Sequence, residues 1–171
     1  MVSTIKKATT ADIPVIKSMA DVVFRHTYSN ILTKEQIEYM MEWMYSSKSL
    51  DVQISEGHTF YISYINDTPC GYMSIKKENT ADNNIVLFHL HKLYVMPEFQ
   101  GSGVGRALFE QACNHATENC LGNRRRIELN VNRYNKALEF YRRMGMEIVC
   151  DGDFPIGRGY YMNDYIMGLE L

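Results

Sequence analysis

The stretch Leu90–Arg106 constrains this chain more than any other: Leu-His-Lys-Leu-Tyr-Val-Met-Pro-Glu-Phe-Gln-Gly-Ser-Gly-Val-Gly-Arg. A β-prone run ends at Pro97, a glycine-rich loop follows, and Val104 opens a helix. A strand that feeds small residues into a helix N-terminus makes a site for an anion. The free N–H groups of the loop and first helical turn point outward, and the helix dipole favours negative charge there.

Length and charge narrow the anion's setting. The 171 residues fit a single domain spanning 1–171 and suffice for its own hydrophobic core. A net charge of −2 supplies no basic field, so nucleic acid is not the expected partner. No apolar run approaches the ~20 residues of a membrane span, and the first residues lack the apolar core of a signal peptide. Cys70, Cys113, Cys120 and Cys150 have no metal-ligand spacing. They are expected to be reduced, mostly buried residues of a cytoplasmic protein that holds no metal.

Read in order, the chain alternates between two periodicities. Ser3–Ala8 is a short strand. Thr9–Asp12 supplies capping chemistry, and Pro14 suits the first turn of a helix that runs to about His26 on Ile13, Ile16, Ala20, Val23 and Phe24. Tyr28-Ser29-Asn30 breaks that pattern. Thr33 and Gln36 form a capping box for a second helix with Ile37, Met40, Met41 and Met44 on one stripe, and 46–55 adds a short third. Thr59–Ile65 and Cys70–Lys77 are strands about an Asn66-Asp67-Thr68-Pro69 turn. Lys77–Asn84 is a polar loop and Ile85–Val95 a long strand. After the helix from Val104 to about Asn119 come a strand at Ile127–Val131 and a helix at Asn135–Met144 with Gly145 as its cap. Strands at Glu147–Asp153 and Tyr160–Leu169 close the chain.

Spacing sorts the glycine loop. A P-loop needs Lys-Ser/Thr after its last glycine, whereas Arg106 and Ala107 follow Gly105. A dinucleotide fingerprint needs Gly-x-Gly-x-x-Gly after an early strand, whereas Gly101, Gly103 and Gly105 follow the fourth. Gln100-Gly101-Ser102-Gly103-Val104-Gly105 instead resembles the Gln/Arg-x-x-Gly-x-Gly/Ala signature of the GCN5-related N-acetyltransferases, and Leu93–Glu98 is similar to the family's approach to that loop. Downstream, Asn135–Met146 resembles its Asn-x-x-Ala-x-x-Phe-Tyr-x-x-x-Gly-Phe segment, with Met146 in place of phenylalanine.

The resemblance implies an α/β (α+β) single-domain fold. Its sheet is mixed, mostly antiparallel and of about six to seven strands, splayed into a V-shaped cleft and flanked by about four helices. It implies acetyl-CoA as co-substrate, with its pyrophosphate on Gln100, Gly101, Ser102, Gly103, Val104, Gly105 and Arg106, and its pantetheine arm along Leu93, Tyr94 and Val95. A backbone N–H near Tyr94 or Val95 would hold the oxyanion, Asn135 would touch the CoA arm, and Arg143 or Arg142 would meet the 3′-phosphate. Tyr141 would be the general acid for the departing thiolate, since a phenol of pKa near 10 stays protonated at neutral pH. His89 and His91, two apart on one strand face unless a bulge intervenes, resemble the water-relaying base of arylalkylamine acetyltransferases.

The resemblance implies a primary amine as acceptor, with the first two helices walling its side of the cleft. Glu35, Glu38 and Glu42 offer a field for a cationic amine. Asp164 with nearby tyrosines could hold an ammonium group, and 159–167 together with 28–30 resembles the polyamine-acetylating branch. Alternatives are a protein lysine or N-terminal acetyltransferase and a non-catalytic acyl-CoA-binding module. Dimers are common in the family, so a homodimer is compatible with the resemblance.

Overall fold

The computed structural model describes residues 2–78, 84–122 and 124–171. Thr4–Lys7 forms strand β1, and a 3-10 turn at Thr10–Asp12, closed by a Thr9–Asp12 capping box, starts helix α1 at Ile13–Tyr28 with Pro14 in its first turn. The helix runs two residues beyond the expected end at His26. Tyr28 stacks its ring on Phe24 one turn back, with centroids 4.6 Å apart, and buries it, so the break falls after Tyr28 rather than at it.

Helix α2, Lys34–Tyr45, is capped by Thr33, whose hydroxyl accepts from Gln36 N. The reciprocal half of the expected box is absent. Gln36 is buried and donates from Nε2 to the carbonyl of Tyr161 at 3.1 Å, joining the helix to the last strand. Helix α3, Ser47–Ser55, takes its cap from Ser46.

Strands β2 (Thr59–Ile65) and β3 (Thr68–Glu78) meet at a two-residue turn. Asn66 and Asp67 have φ of 48° and 62°, the left-handed pair that a tight hairpin requires. Thr68 and Pro69, expected in the turn, already belong to β3. Of the expected polar loop, Lys77 and Glu78 extend β3, and 79–83 lie outside the described residues.

Strand β4 is Ile85–Val95, and a 3-10 turn at Pro97–Phe99 leads to helix α4 at Val104–Glu118. Strand β5 (Arg124–Asn132), helix α5 (Ala137–Arg143), strand β6 (Glu147–Gly157) and strand β7 (Tyr160–Glu170) complete the chain. Gly145, at φ 93°, ends α5 as expected. Strand β6 runs four residues past its expected end because the hairpin tip is tied down: the Tyr39 hydroxyl donates to Ile156 O at 2.6 Å, and the Arg158 guanidinium lies over the Tyr39 ring.

Among the described residues the strands form one seven-stranded sheet in the order β1-β2-β3-β4-β5-β7-β6, with β4–β5 its parallel pair and the rest antiparallel. Among the described residues the α-helices number five, the short α3 at the place expected for it. Each sheet face carries its own core. Helices α4 and α5 cover Met73, Phe88, Ile127 and Met167 on one side; α1, α2 and α3 cover Phe60, Ile62 and Tyr72 on the other. Among the described residues no helix is long and apolar enough to cross a membrane. Cys70 and Cys120 are buried as expected, Cys113 is half-buried, and Cys150 is exposed, because most of edge strand β6 faces solvent.

Candidate active site

The sheet opens where its one parallel ladder stops. Strands β4 and β5 pair from Ile85 opposite Arg124 to His89 opposite Glu128, and no further. Beyond that point β4 stays paired with β3 as far as Val95, while β5 stays paired with β7 as far as Asn132. The facing edges therefore diverge, and a cleft of about 1140 Å³ lies between them. Its walls include Leu90–Val95 of β4, Leu129–Val131 of β5, the end of α1, and Tyr141 of α5.

Backbone groups left without a strand partner in this opening are strong donors and acceptors. Met96 N–H donates to Cys70 O on β3. Alternation along a strand then turns the Tyr94 amide toward β3 and those of Leu93 and Val95 toward the cleft. Val95 O already accepts from the Gln100 side chain at 3.2 Å, which anchors the glycine loop to the strand.

Within the loop the glycines differ in purpose. Gly101 and Gly103 have φ of 78° and 91° with open space where a side chain would point, so their lack of Cβ serves the backbone conformation. Gly103 is the residue before helix α4, and the amides that follow point at the cleft mouth. Gly105 lines the cleft with ordinary φ, and a Cβ there would come into contact with the Phe140 ring at 3.4 Å, so this position also faces the α4–α5 packing. Gly71 carries a stronger constraint that sequence patterning missed. A Cβ on it would lie 2.8 Å from Tyr94 O and near Val104 and Leu108; its signal was a glycine inside a strand.

Exposed Arg106 and Arg143 line the cleft, and so does exposed Lys136, which the sequence did not single out. Arg142 instead pairs with Glu139 on the outer face of α5. Asn135 does double duty: its Oδ1 accepts from Ala137 N at 2.9 Å, capping α5, and its amide faces the Tyr28 hydroxyl, drawing the phenol's pKa down against the upward push of burial.

Tyr141 is 7% exposed and packs on Phe109 and Phe140. Among the described residues its hydroxyl makes no hydrogen bond. Burial raises its pKa, and Tyr28 adds to the effect, so the phenol stays protonated throughout the neutral range. Tyr94 and Tyr28 stand close by, with hydroxyls 3.4 Å apart and pKa values raised by burial.

A bulge does intervene between the two strand histidines, yet their rings stay adjacent. The β3–β4 register shifts where Ile75 faces Leu90 and Ser74 faces Lys92, so His91 is the extra residue. Its ring lies 4.4 Å from His89 and also 4.4 Å from His58, a neighbour in no sequence motif. His91 lines the cleft and binds Glu78 at 3.2 Å, whereas His89 stands behind it. Desolvation first, then His89, His58 and Lys92, hold the His91 imidazole far below its ordinary pKa, so it is neutral and a weak proton acceptor, suited to hydrogen-bonding more than to holding a proton. Lys92 is buried, donates to Gln53 Oε1 at 2.6 Å, and has its pKa lowered to about 8 by desolvation. Among the described residues no cluster of histidine, cysteine or carboxylate groups is arranged to hold a metal ion.

The acidic face of α2 does not reach the cleft. Glu38 forms an ion pair with Arg25, and Glu38 and Glu42 border a separate surface hollow between α1 and α2. Asp164 behaves differently. It is buried on β7, where its Oδ2 accepts from Asn130 of the cleft wall.

Known proteins share the family domain and the fold. Residues 29–152 match the model of the acetyltransferase (GNAT) domain. An uncharacterised N-acetyltransferase of Methanocaldococcus jannaschii is 33% identical over 97 residues, 52% of this chain and 38% of that protein; the match thus spans well under half of the relative's length. An uncharacterised N-acetyltransferase of Archaeoglobus fulgidus is 27% identical over 63% of this chain and 67% of its own. Among solved structures, PaiA N-acetyltransferase from Thermoplasma acidophilum, in complex with coenzyme A, superposes with a TM-score of 0.78 at 22% identity over the whole of both chains. The ribosomal-protein-S18-alanine N-acetyltransferase of Escherichia coli gives 0.69 at 17% identity, covering 99% of this chain and 94% of that one.

Proposed function

The chain belongs to the GNAT acetyltransferase family, and from that premise we propose that it transfers the acetyl group of acetyl-CoA to a primary amine by direct attack in a ternary complex. The observation that carries this reading is the unpaired inner edge of β4 between the glycine loop and Tyr141. The pantetheine arm pairs with that edge as an added strand. The pyrophosphate sits on the amides of 101–106, with Arg106, Lys136 and Arg143 around it.

The thioester carbonyl then meets the cleft-facing amides of β4, chiefly that of Val95, which donate to the oxyanion as charge develops. The amine nitrogen attacks the carbonyl carbon, the C–N bond forms, and the C–S bond breaks. Tyr141 protonates the departing sulfur; a thiol's pKa of about 8.5 lies below that of the phenol, so the hydroxyl also acts by hydrogen-bonding the thiolate. The amine's proton leaves to water, with the neutral imidazoles of His91 and, behind it, His89 hydrogen-bonding that water as a relay, since burial makes both weak bases.

The acceptor is a small amine or a polyamine. Support comes from a cleft walled by the end of α1 and from the likeness in fold to a PaiA N-acetyltransferase. The test is acetyl-CoA-dependent thiol release across polyamines, arylalkylamines, amino acids, aminoglycosides and peptides. Release with peptides alone makes the protein a protein acetyltransferase, and CoA binding without release from any amine makes it a binding module.

A further inference from the structure

We propose that Lys92, turned by the bulge at His91 into a buried polar cluster with Ser74 and His58, is where the acceptor's proton comes to rest. The assignment rests on the acetyl-transfer reading and supplies the end of the relay that begins at His91.

The bulge decides which way Lys92 points. Ile75 faces Leu90 and Ser74 faces Lys92, and cross-strand partners share a sheet face. Ile75 and Leu90 belong to the core beneath α4 and α5. Phe60, the partner of Ser74 on β2, belongs to the opposite core, and Lys92 Nζ lies over its ring. Leu90 and Lys92 therefore point to opposite faces, although residues two apart in a regular strand share one. The extra residue sets Lys92 beside His91, and both line the cleft.

The surroundings of the amine are polar but hold no counter-ion. Lys92 is 7% exposed, with Nζ 5.5 and 5.6 Å from the Tyr45 and Phe60 ring centroids. Its one hydrogen bond among the described residues goes to Gln53 Oε1, and Gln53 is itself fixed by bonds to Met44 O and Ser49 Oγ. Two buried polar atoms close by have no partner: Ser74 Oγ across the strand, and Nδ1 of His58, whose ring lies against His91. With the N–H groups that Gln53 leaves free, they can hold water between them.

The titratable neighbours are Tyr45 from α2, His58 before β2, Lys76 of β3, and His89 and His91 of β4; α3 presents the neutral Gln53. Glu78 is bound to His91, and among the described residues no carboxylate pairs with Nζ. Burial alone draws the Lys92 pKa down to about 8, the range in which a lysine exchanges protons near neutral pH. In the reaction the acceptor ammonium gives its proton to water bonded by His91, and a proton passes on to the Nζ lone pair. The nitrogen lone pair thus freed forms the C–N bond, and Lys92 returns its proton to solvent before the next turnover.

The test is the pH dependence of kcat for thiol release by the full chain, with 2-phenylethylamine and 1,4-diaminobutane. Their ammonium groups ionise near pH 10, as free lysine does at about 10.4, so a limb near 8 belongs to the protein. The wild-type rate should rise about tenfold per pH unit and level above about 8. Lys92→Met should lose that limb and about 100-fold in kcat, with CoA affinity within about twofold. Lys92→Arg keeps the charge but cannot give up its proton, and should fail in the same way. Gln53→Glu sets a carboxylate on Nζ and should move the limb upward by about one pH unit or more, which a packing role does not predict. Wild-type activity in Lys92→Arg, a limb that survives in Lys92→Met, an unmoved limb in Gln53→Glu, or a wild-type limb only near that of the amine overturns the assignment and leaves acetyl transfer standing. Should neither Lys92 variant fold, the wild-type profile and Gln53→Glu decide. No release with either amine overturns the small-amine reading, and this assignment with it.

Discussion

The hydroxyls of Tyr28 and Tyr94 lie 3.4 Å apart, although 66 residues separate them in sequence and they come from opposite walls of the site. Tyr94 stands on the strand edge that the acyl donor follows in the proposed reaction. Tyr28 stands at the last turn of α1, on the acceptor side. In the proposed reaction their contact would lie where the two substrates meet, and Tyr141 acts electrostatically on Tyr94 and is acted on by Tyr28.

Tyr141→Phe should lower kcat at neutral pH by about 100-fold and leave CoA affinity within about twofold, because the ring that packs on Phe109 and Phe140 is kept. Burial holds the wild-type phenol protonated well above neutral pH. The variant's defect should narrow as pH rises past about 8.5, where CoA leaves as a stable thiolate and needs no proton. Steady-state pH profiles of both proteins measure this; an equal defect at pH 7 and pH 9.5 returns Tyr141 to a packing role.

Gly71→Ala should destabilise the fold by about 1–3 kcal/mol, since the new methyl meets the Tyr94 carbonyl 2.8 Å away, and backbone cannot turn aside as a side chain can. Movement of that carbonyl shifts the cleft edge of β4, so acetyl-CoA affinity should fall as well. Gly105→Ala, whose contact is the edge of a ring at 3.4 Å, should cost less. Urea unfolding of the three proteins ranks them.

Much of this was legible because it rests on local chemistry. The Asn66-Asp67 turn, the bounds of β2 and β4, the Gly145 cap and the two motifs around the cleft each follow from short-range residue patterns. What sequence missed is set by contacts between distant segments. Tyr28 reads as a helix breaker until its ring is seen to be buried against Phe24 and Tyr94. Gln36 reads as a cap until its amide is found on Tyr161. His58 belongs to no motif and reaches His91 only because β2 and β4 flank the same strand. Glycine 105 looks like its neighbours, yet it faces Phe140.

Arg106, Lys136 and Arg143 surround the loop as exposed charges, so each contributes modestly to anion binding and all are screened by salt. Single alanine substitutions should weaken CoA binding by up to about fivefold each, and the triple variant should flatten the dependence of affinity on ionic strength. Arg142→Ala, whose partner is Glu139, should leave CoA affinity unchanged. Calorimetric titrations at several salt concentrations distinguish a rim that meets phosphate from a solvated helix face.

The imidazoles of His58, His89 and His91 are all held below their ordinary pKa, His58 at about 4, chiefly because burial disfavours their charged forms. Unfolding returns each to near 6.5, so between these values the unfolded chain binds more protons than the folded one. Stability is therefore full above pH 6.5 and declines as pH falls toward 4. His58 also has a buried Nδ1 without a hydrogen-bond partner, so replacing its ring removes an unfavourable group along with a titrating one. His58→Phe should unfold less steeply with falling pH than the wild type between pH 6.5 and 4. The difference should stay below the ~1.4 kcal/mol per pH unit of a fully shielded group, because the ring is half open to solvent. Chemical denaturation at half-unit pH steps measures both slopes. Parallel slopes would show that the His58 ring charges in the folded state as readily as in the unfolded chain.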